Sequence, residues 1–579
     1  MMDQEEIVMT PTKKGKMTCI FIEKVRRNLL DNTKVAHQGG GANAGLVINK
    51  KAEGGIPDTE PHSLQLEFKC FLVDKKKGRH VPESRVLKFW FSPQTDYLDK
   101  VTSAYEFFKE LVKPDQFPRD YVGFIKRVMT QCRQTKYTNI KKVEVDMEQL
   151  EEEPVPLSPG GSAQPRMAYG WGAPKEDTRP KEVIVQEQIL LTLESAYPNI
   201  LPVEELAKIV NADEATVRQA MEMLQGKDLI RQIEPGRFVR KVLDDKTEVK
   251  VIKNFVVSAM AKPTVAIVTS KYNEKLAVDA MMENKTTYVR FKTEGESNVY
   301  TIGDIGPHKV VTTKIPALGR QMAAQISSGN TMTRLLGTFS DIEHVLLVGV
   351  AGGVPHYTDY YKHVRLGDIV MATPNQKGYM YIFCDKIDTD RDSGQMQYAL
   401  KSWSPHDMTI QRILESVQED FINNPSACPW EGYIKDGQLL LQGQEVGFKR
   451  PPPETDKLYM NIGGNDVIEV GHPAAPKDDA SYREGHPVLR AGSVGSGKPI
   501  IQDDALRLDF STRHNCVAFD TEFDQVLESI VGNRKDSFAF IRGICDYLDG
   551  TKNVEWQPYA ALAAAAFTKT LIERLPPPS

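Results

Sequence analysis

Three carboxylates follow strand-like runs in the C-terminal half of this 579-residue chain. Glu274 comes after VAIVTSKYN, Glu522 lies in VAFDTEF and Asp546 closes FAFIRGICD. Side chains at the carboxyl ends of strands in an open α/β sheet face the usual ligand crevice. Carboxyl groups in different environments can serve as acid and base at one pH. We predict that the three residues share a site, although each alone is more often a loop acid or a helix cap.

The elements that must position these residues alternate between strand and helix through the last 300 or so residues. VAIVT, YTIGDI, HKVVTTKI and HVLLVGV are strand-like, and the last of them runs into a pair of glycines. The chain closes with an alanine-rich helical stretch, PYAALAAAAFTKTLIERL. Such alternation predicts an α/β fold with a mostly buried central sheet. We assign residues 250–577 to this domain, with an insertion around residues 385–485.

Residues 181–243 resemble a winged-helix fold, since three helical stretches precede two short strands. The third helix and its flanks carry four acidic residues against two basic ones, so their net charge is 2 − 4 = −2. A helix that enters the major groove of DNA is expected to be positive, and contact with a protein is therefore the favoured role. Nucleic-acid binding stays open because the wing is basic, with Arg231, Arg237, Arg240 and Lys241.

Composition divides the remaining N-terminal part into three pieces. Residues 1–59 hold one candidate helix, CIFIEKVRRNLL, followed by glycine clusters, and are predicted to be a flexible segment. Residues 60–145 contain two β-rich runs and a helical run, which predict a small α+β domain with a ubiquitin-like fold as one option. Residues 146–180 are first acidic and then rich in Pro, Gly and Ser, and are predicted to be a linker.

Overall composition excludes several classes of protein. The 73 basic and 78 acidic side chains give 73 − 78 = −5, which argues against a protein that coats nucleic acid. The seven cysteines form no CxxC pair, so neither a disulfide framework nor a zinc site is expected. No apolar run approaches the roughly 18 residues of a membrane span. We expect a protein of the cytoplasm, with the nucleus as the alternative, that uses no metal and no cofactor.

Five collinear stretches of residues 250–577 resemble the nucleoside phosphorylase superfamily. The resemblance is closest to its hydrolytic branch, the methylthioadenosine/S-adenosylhomocysteine nucleosidases and the nucleosidase domains of multidomain fungal and animal proteins. It implies a three-layer α/β/α fold and does not cover the N-terminal 245 residues. The stretches are VAIVTSKYNEKLAVDAMM, VGVAGGVP with RLGDIVMATP, LRAGSVGSGKPIIQDD, VAFDTEF and FIRGICDYLDGTKNVEWQPYAALAAAAFTKTL.

This resemblance implies a role for each candidate site residue. Asp546 is the expected general acid that protonates the leaving purine, Glu274 the expected general base for the attacking water, and Glu522 the expected acceptor for ribose hydroxyls. These roles suit an oxocarbenium-like transition state, which needs an acid on the leaving group and negative charge near the sugar. The other implied substrate-binding positions, of which the last two would flank the base, are Thr521, Val350, Gly352, Ile500 and Ile501.

The attacking group is predicted from the residues at the family's phosphate positions. The phosphorylase branch has an arginine and a serine where this chain has Leu347 and Val350, and its first phosphate loop is replaced here by residues 270–274. A phosphate dianion without cationic donors would be poorly solvated, so water is favoured. Arg320 is the one nearby residue that could supply a cationic donor for phosphate, so phosphorolysis stays open as an alternative. Thr521 and Phe523 depart from the family pattern at the ribose segment.

These observations predict a purine nucleosidase that acts on an adenosine-type nucleoside or nucleotide, ATP included, as a regulated effector. The alternatives are a phosphorylase that uses phosphate, or a catalytically weak adaptor with a nucleic-acid or protein-binding winged helix. We expect self-association through the C-terminal domain, protein partners for the N-terminal modules, and no membrane contact. The insertion is predicted to form a lid over the substrate.

Overall fold

The computed structural model of the chain contains three β-sheets, and helices pack against them. No described helix is both long and apolar enough to cross a lipid bilayer. The residues that the structure describes are 5–52, 61–74, 79–113, 116–118, 120–150, 180–241, 248–252, 262–292, 297–316, 321–389, 396–424, 428–461, 467–475, 483–501, 504–520, 523–547 and 554–578.

The N-terminal region forms one sheet with two helices against it. Both helices begin at an aspartate whose carboxylate accepts a backbone N–H three residues later, Asp96 for the first and Asp120 for the second. Phe89 of the sheet packs edge-on against Phe107 of the first helix, with 5.6 Å between ring centroids. The elements are β1 Glu5–Lys14, β2 Met17–Arg26, β3 Val35–Gln38, β4 Leu46–Asn49, β5 Leu64–Asp74, β6 Arg79–Phe91, α1 Tyr97–Leu111, α2 Tyr121–Cys132 and β7 Ile140–Gln149.

The structure corrects the prediction of a flexible segment with a helix in residues 1–59. The predicted helix CIFIEKVRRNLL lies mostly in β2, which pairs antiparallel with β1 on one side and with β7 on the other. Cys19, Ile20, Phe21 and Ile22 are all buried, so both faces of this strand are covered. Continuous apolar runs are typical of strands buried on both faces and are easily mistaken for buried helices. Residues 60–145 consequently share one sheet with residues 5–49.

The winged-helix module has three helices, a three-stranded sheet in the order β8-β10-β9, and a hydrophobic core of its own. This core includes Ile189, Leu206, Val217 and Phe238, one from each main element of the module. The module therefore has an apolar cluster of its own, while its residues Tyr197, Ile200 and Val239 pack into the main core. The elements are α3 Lys181–Ala196, β8 Leu201–Pro202, α4 Val203–Val210, α5 Glu214–Gly226, β9 Ile230–Glu234 and β10 Arg237–Arg240.

The C-terminal region has the predicted alternation of strands and helices. Its elements are β11 Glu248–Val251, β12 Val265–Thr269, α6 Tyr272–Ala280, β13 Glu283–Arg290, β14 Asn298–Ile305, β15 His308–Lys314, α7 Gln321–Thr338, β16 His344–Gly353, β17 Ile369–Ala372, β18 Tyr381–Thr389, β19 Met396–Trp403, α8 Thr409–Asn423, α9 Pro429–Leu440, β20 Leu458–Asn461, β21 Val467–Val470, β22 Leu489–Ser496, α10 Lys498–Ile501, α11 Asp504–His514, β23 Cys516–Phe519, α12 Asp524–Gly532, β24 Ser537–Asp546 and α13 Trp556–Glu573.

Twelve of these strands form the central sheet, in the order β11-β13-β14-β15-β12-β16-β24-β17-β22-β18-β19, and β23 pairs with both β16 and β22. The central strands β12, β16 and β24 run parallel, and nearly all of their residues are buried. The alanine-rich helix α13 lies against β24 and β16 and also contacts α6 and α9. The predicted α/β fold is confirmed, and the parallel strands bring their carboxyl ends to one edge of the sheet.

The insertion around residues 385–485 joins two sheets together. Its first strand, β19, pairs with β18 at the edge of the central sheet. Its strands β20 and β21 pair with each other, and β21 pairs antiparallel with β5 of the N-terminal region. The N-terminal sheet therefore has nine strands, in the order β20-β21-β5-β6-β7-β2-β1-β4-β3. The predicted bounds of the small α+β domain, residues 60–145, are therefore too narrow, because strands from before and after that range complete its sheet.

The close packing of α13 on β24 generates a stability prediction. At Gly543, an added Cβ would lie 1.8 Å from the carbonyl oxygen of Ala560 on α13. Because backbone atoms cannot move aside cheaply, Gly543→Ala should destabilise the protein by about 1–3 kcal/mol or more. Gly432→Ala is the matched control, since that helical glycine has open space around it and alanine favours helices. Urea unfolding midpoints would check this; equal midpoints for the two variants would contradict the packing.

Candidate functional site

Glu274 lies in the first turn of α6, directly after β12, and only 1% of its surface is exposed. Its Oε2 atom accepts hydrogen bonds from the backbone N–H of Ser270 (2.8 Å), the backbone N–H of Lys271 (2.8 Å) and the Ser270 hydroxyl (3.1 Å). Its Oε1 atom accepts one from the backbone N–H of Val350, at 2.9 Å. Three of the bonds complete the N-terminus of α6, and the fourth ties it to β16.

The position of this carboxylate depends on a glycine in β16. An added Cβ at Gly349 would lie 2.6 Å from Glu274 Oε1, well inside van der Waals contact. The bare backbone at Gly349 therefore lets the carboxylate reach the N–H of Val350. The predicted substrate-binding residue Val350 is thus joined to the predicted base Glu274 by a direct hydrogen bond.

Asp546 is the last residue of β24, and its Cα is paired with that of Gly352 across the β16–β24 ladder. Its Oδ2 atom lies 3.9 Å from the thiol sulfur of Cys545, which donates to it. Burial raises the pKa of the Cys545 thiol, the negative charges of Asp546 and Glu274 raise it further, and Lys271 opposes them. Glu274 is bonded to Val350 and Asp546 is paired with Gly352, so both predicted catalytic carboxylates lie at the same end of the central strands.

Thr521 and Glu522 lie outside the described residues, but the residues on either side of them are held firmly. Asp520 forms a buried ion pair with Arg542 of β24, whose guanidinium also donates to the carbonyl of Leu347 at 2.6 Å. The backbone N–H of Phe523 donates to the hydroxyl of Tyr381 at 3.1 Å. The chain on both sides of Glu522 is thereby fixed to strands of the central sheet.

Arg542 is a positioning residue that the sequence analysis missed. It is 1% exposed, although it lies within the apolar run FAFIRGIC. A buried guanidinium requires an anionic partner, because an unpaired charge in the protein interior is costly. An arginine inside a strand-like run, with DTE nearby in the α/β region, was a signal that could have identified the Asp520–Arg542 pair.

Ile500 and Ile501 form the end of the short helix α10. Ile500 is fully buried in a cluster that includes Phe519 and Phe510, and Val354 packs against this cluster. Because Val354 follows the glycine turn of β16 and Phe519 is the last residue of β23, the cluster reaches the edge of the sheet that carries the carboxylates. Ile500 and Ile501 are not among the lining residues of the cavity at this edge, and their role as walls for the purine base stays a prediction.

A cavity of about 520 Å³ opens at the same edge of the sheet. The central sheet contributes Gly353 and Phe519 to its wall, and Tyr547, the residue after Asp546, also lines it. The remaining walls come from α1 of the N-terminal region, β20 of the insertion and α11. This volume is in the range of small-molecule sites, and such sites commonly lie between modules.

The insertion reaches this region through Asp456, which is 5% exposed. The hydroxyl of Tyr547 donates to one Asp456 oxygen at 2.6 Å, and the guanidinium of Arg365 donates to the other at 2.8 Å. The residue that follows Asp546 is therefore anchored by a carboxylate from the insertion. The insertion thus holds the end of β24. This structural role is separate from the predicted role of the insertion as a lid.

Three histidines continue this hydrogen-bonded network, and their contacts define which ring nitrogens donate and which accept. The backbone N–H of His356 donates to His363 Nδ1 (3.0 Å), so His363 Nε2 is left to donate to His472 Nδ1 (2.9 Å). His472 Nε2 in turn donates to the carbonyl of Asp456 at 2.8 Å. Burial lowers the pKa of His363 well below its usual value and lowers that of His472 as well. An Nδ1 atom that accepts a hydrogen bond carries no proton, so this arrangement favours the neutral form of both rings.

Cys19, Glu144 and Asp146 form a buried group whose ligand atoms lie within 4.8 Å of one another, close enough to hold a metal ion. The ammonium of Lys88 lies 2.7 Å from Asp146 and 3.1 Å from Glu144, so a resident cation already balances these carboxylates. Burial, followed by the hydrogen bond to Asp146, raises the pKa of the Cys19 thiol to about 12. The group is in the N-terminal sheet and belongs to a buried ion-pair network.

Three of the four basic residues of the wing, Arg237, Arg240 and Lys241, form ion pairs within the protein, and the fourth, Arg231, is exposed. Arg240 is 2% exposed and pairs with Glu194 of α3 and Glu445 of the C-terminal region. Lys241 forms an ion pair with Asp228. Buried or paired cations are poorly placed to neutralise the phosphates of DNA. These contacts favour the predicted protein-contact role of the winged helix.

Comparisons with known proteins match two parts of the chain. A family model described as a winged helix-turn-helix domain matches residues 175–242, which confirms the predicted winged helix. A protein described as nucleotide-binding leucine-rich repeat (NLR)-like, from Hyaloscypha variabilis, is 26% identical over 316 residues, or 52% of this chain and 28% of the relative. The chain therefore spans little more than a quarter of that relative.

Solved structures similar to the chain include two nucleosidases of the family that the sequence motifs resemble. The 5'-methylthioadenosine/S-adenosylhomocysteine nucleosidase of Neisseria meningitidis is 14% identical, with a TM-score of 0.32, over 54% of this chain and all of the other. The S-adenosylhomocysteine nucleosidase of Streptococcus pyogenes is 15% identical, with a TM-score of 0.32, over 55% of this chain and 99% of the other. Neither the identities nor the TM-scores of these two matches establish an activity for this chain.

The neutral histidine chain predicts that stability falls in mild acid. Unfolded histidines bind protons below about pH 6.5, whereas His363 and His472 stay neutral in the fold, so the stability that is complete above pH 6.5 is lost as the pH falls. The loss is at most about 1.4 kcal/mol per pH unit for each such histidine. His472→Gln, whose amide can accept from His363 and donate to Asp456, should give a shallower loss.

Urea unfolding midpoints measured between pH 7.5 and pH 5 would check this prediction. His406→Gln is the matched control, because His406 is exposed and its replacement should leave the pH dependence unchanged. A parent-like slope for His472→Gln would contradict the neutral chain.

Proposed function

We propose that the C-terminal α/β region is a purine nucleosidase that uses water to cleave the N-glycosidic bond of a purine nucleoside or nucleotide. The observation that carries this proposal is that Glu274 accepts a hydrogen bond from Val350 of β16, two residues before Gly352, which is paired with Asp546 on β24. Both carboxylates lie at the carboxyl end of the central strands. A cavity of about 520 Å³ opens at this edge and is lined by Gly353 and Tyr547, but not by the two carboxylates themselves. An acid and a base at such an edge are the groups that glycosidic cleavage requires.

The two carboxylates have surroundings that suit different roles. Glu274 accepts four hydrogen bonds and donates none, an arrangement that suits a fixed carboxylate which orients water and takes its proton. Asp546 is less deeply buried than Glu274 and lies next to the cavity residue Tyr547, a placement that suits an acid for the leaving purine. Glu522 is proposed to bind the ribose hydroxyls, with Thr521 beside it.

Water is favoured over phosphate because the two positions at which the phosphorylase branch carries phosphate-binding side chains are Leu347 and Val350, whose side chains have no donor. The backbone N–H of Val350 donates to Glu274, and the side chain of Leu347 is fully buried. The guanidinium of Arg542 is held by Asp520 and by the carbonyl of Leu347, while its Nη2 atom is buried without a hydrogen bond. A phosphate dianion would need free N–H or cationic donors at these positions. Arg320, the residue that could reopen phosphorolysis, lies outside the described residues.

We also propose that this activity serves a regulated effector. The similarity of half of the chain to part of an NLR-like protein supports a place within a larger signalling architecture. The contacts of Arg240 and Lys241 within the protein support a winged helix that works through protein contacts. Self-association through residues 250–577 and a cytoplasmic location stay predictions.

A base-release assay tests the proposed reaction. The full chain is incubated with adenosine, methylthioadenosine, adenosylhomocysteine or ATP, with and without phosphate, and free purine and the sugar product are measured. We expect phosphate-independent release of free sugar. Asp546→Asn and Glu274→Gln should each reduce the rate by about 10²–10⁴-fold, the usual contribution of general acid–base catalysis.

Glu283→Gln is the matched control for both variants, since its side chain is 75% exposed at the edge of the α/β region and should not affect the rate. Sugar phosphate as the product would replace the hydrolase by a phosphorylase. A folded parent protein that binds nucleosides and releases no base from any of them would favour the adaptor alternative instead.

A further inference from the structure

The winged-helix module makes two separate contacts near Glu274, one with the neighbouring strand β15 and one with α6, the helix that carries Glu274. At the end of α3, the backbone carbonyls of Ser195 and Tyr197 accept hydrogen bonds from the ammonium of Lys314, at 2.9 and 3.1 Å. After β10, the carbonyl of Lys241 accepts one from the hydroxyl of Tyr272, at 3.1 Å. Tyr272 begins α6, two residues before Glu274. The module therefore holds both the neighbouring strand and the helix of the candidate base.

Lys314 is a fully buried cation whose hydrogen bonds go to carbonyl groups. Its third described bond, to the carbonyl of Ile315 at 3.1 Å, completes the three donors of the ammonium. Burial lowers its pKa from 10.5 to about 7, against the opposing influence of Glu274 and Glu194. Burying a cation without a bonded carboxylate is costly, and most of the compensation comes from the end of a helix in another module. Carbonyls at a helix C-terminus suit a cation.

A short path of contacts connects Lys314 to the carboxylate of Glu274. Lys314 is paired with Thr269, the last residue of β12, and the backbone N–H of Ile315 donates to the Thr269 carbonyl at 2.8 Å. The next two residues, 270 and 271, supply three of the four hydrogen bonds that Glu274 accepts. A displacement of Lys314 would therefore move the donors that fix Glu274.

Tyr272 transmits the second contact. Its ring packs edge-on against Tyr197 of the winged helix, with 5.9 Å between centroids. The guanidinium of Arg240 lies over the same ring at 4.9 Å from the centroid, and Arg240 is itself held by Glu194. The first residue of α6 is thus enclosed by the winged helix, and the direction in which α6 starts depends on that module.

We propose that the winged-helix module positions the candidate base Glu274 through Lys314 and Tyr272, so that cleavage depends on the module being docked. Lys314 and Tyr272 are positioning residues, because they act through Glu274. This inference rests on the proposed nucleosidase activity. It also gives the winged helix a role that needs no nucleic acid.

The test compares variants of the full chain in the base-release assay. Lys314→Met removes the ammonium and keeps the length of the side chain, and Lys314→Arg keeps the charge. Lys309→Met is the matched control, since Lys309 is on the same strand but is 36% exposed and paired with Asp304. Tyr272→Phe removes only the hydroxyl and keeps the packed ring, so this variant should fold even if Lys314→Met does not.

We expect Lys314→Met to lower kcat at least tenfold with little change in KM, and Tyr272→Phe to lower it severalfold. Loss of a nearby positive charge disfavours an ionised carboxylate, so the acidic limb of the kcat–pH profile should move to higher pH in Lys314→Met. Lys314→Arg should restore that limb, and Lys309→Met should match the parent throughout. A purely structural role for Lys314 would lower the amount of active protein without moving the limb.

Parent-like kcat and pH profiles in both Lys314→Met and Tyr272→Phe, with an active parent, would overturn the positioning role and leave the nucleosidase proposal standing. A parent that releases no base would overturn both. If Lys314→Met does not fold, an unchanged kcat in Tyr272→Phe is sufficient to reject the proposal.

Discussion

The hydrogen bond between the Glu274 carboxylate and the backbone N–H of Val350 is the constraint on which the candidate site depends. It joins the loop after β12 to the glycine-rich end of β16, and β16 in turn pairs with the strand that ends at Asp546. The bond is possible only because residue 349 has no side chain. One backbone donor, one glycine and one buried carboxylate therefore fix the separation of the two groups that would share the chemistry.

The modules around this site are interlocked to different degrees. The N-terminal sheet receives two strands from the C-terminal region, and its apolar residues belong to the same continuous core. The winged helix has its own core and is joined to Lys314, Tyr272 and Glu445 by hydrogen bonds and an ion pair. Its residues Tyr197, Ile200 and Val239 also pack into the main core. Polar interfaces lose less on separation than apolar ones, because water can replace their partners. The polar contacts of the winged helix can therefore separate at a smaller cost than its apolar ones.

The sequence was sufficient to predict the features that depend on local pattern. Strands such as HVLLVGV, the winged helix and the position of Asp546 at the end of a strand all follow from periodicity and from short motifs. The strand β2 was mistaken for a helix because its apolar run is compatible with either element until its neighbours are known. The pairing of β21 with β5 joins residues about 400 positions apart, and no local signal specifies such a contact.

The buried charges show most clearly what the sequence could not reveal. Lys314, Arg240 and Asp456 are ordinary surface residue types, and each is buried because another module supplies its partner. An unpaired charge in the interior is strongly destabilising, so each of these residues makes the folding of one module depend on the presence of the next. Lys314 lies on the strand next to β12, which precedes Glu274. Arg240 contacts Tyr272, two residues before Glu274, and Asp456 binds Tyr547, the residue after Asp546. The need to pair these buried charges therefore joins the modules and also helps to position the two carboxylates. A shift of one module would thus change the positions of Glu274 and Asp546 more directly than the packing of the core.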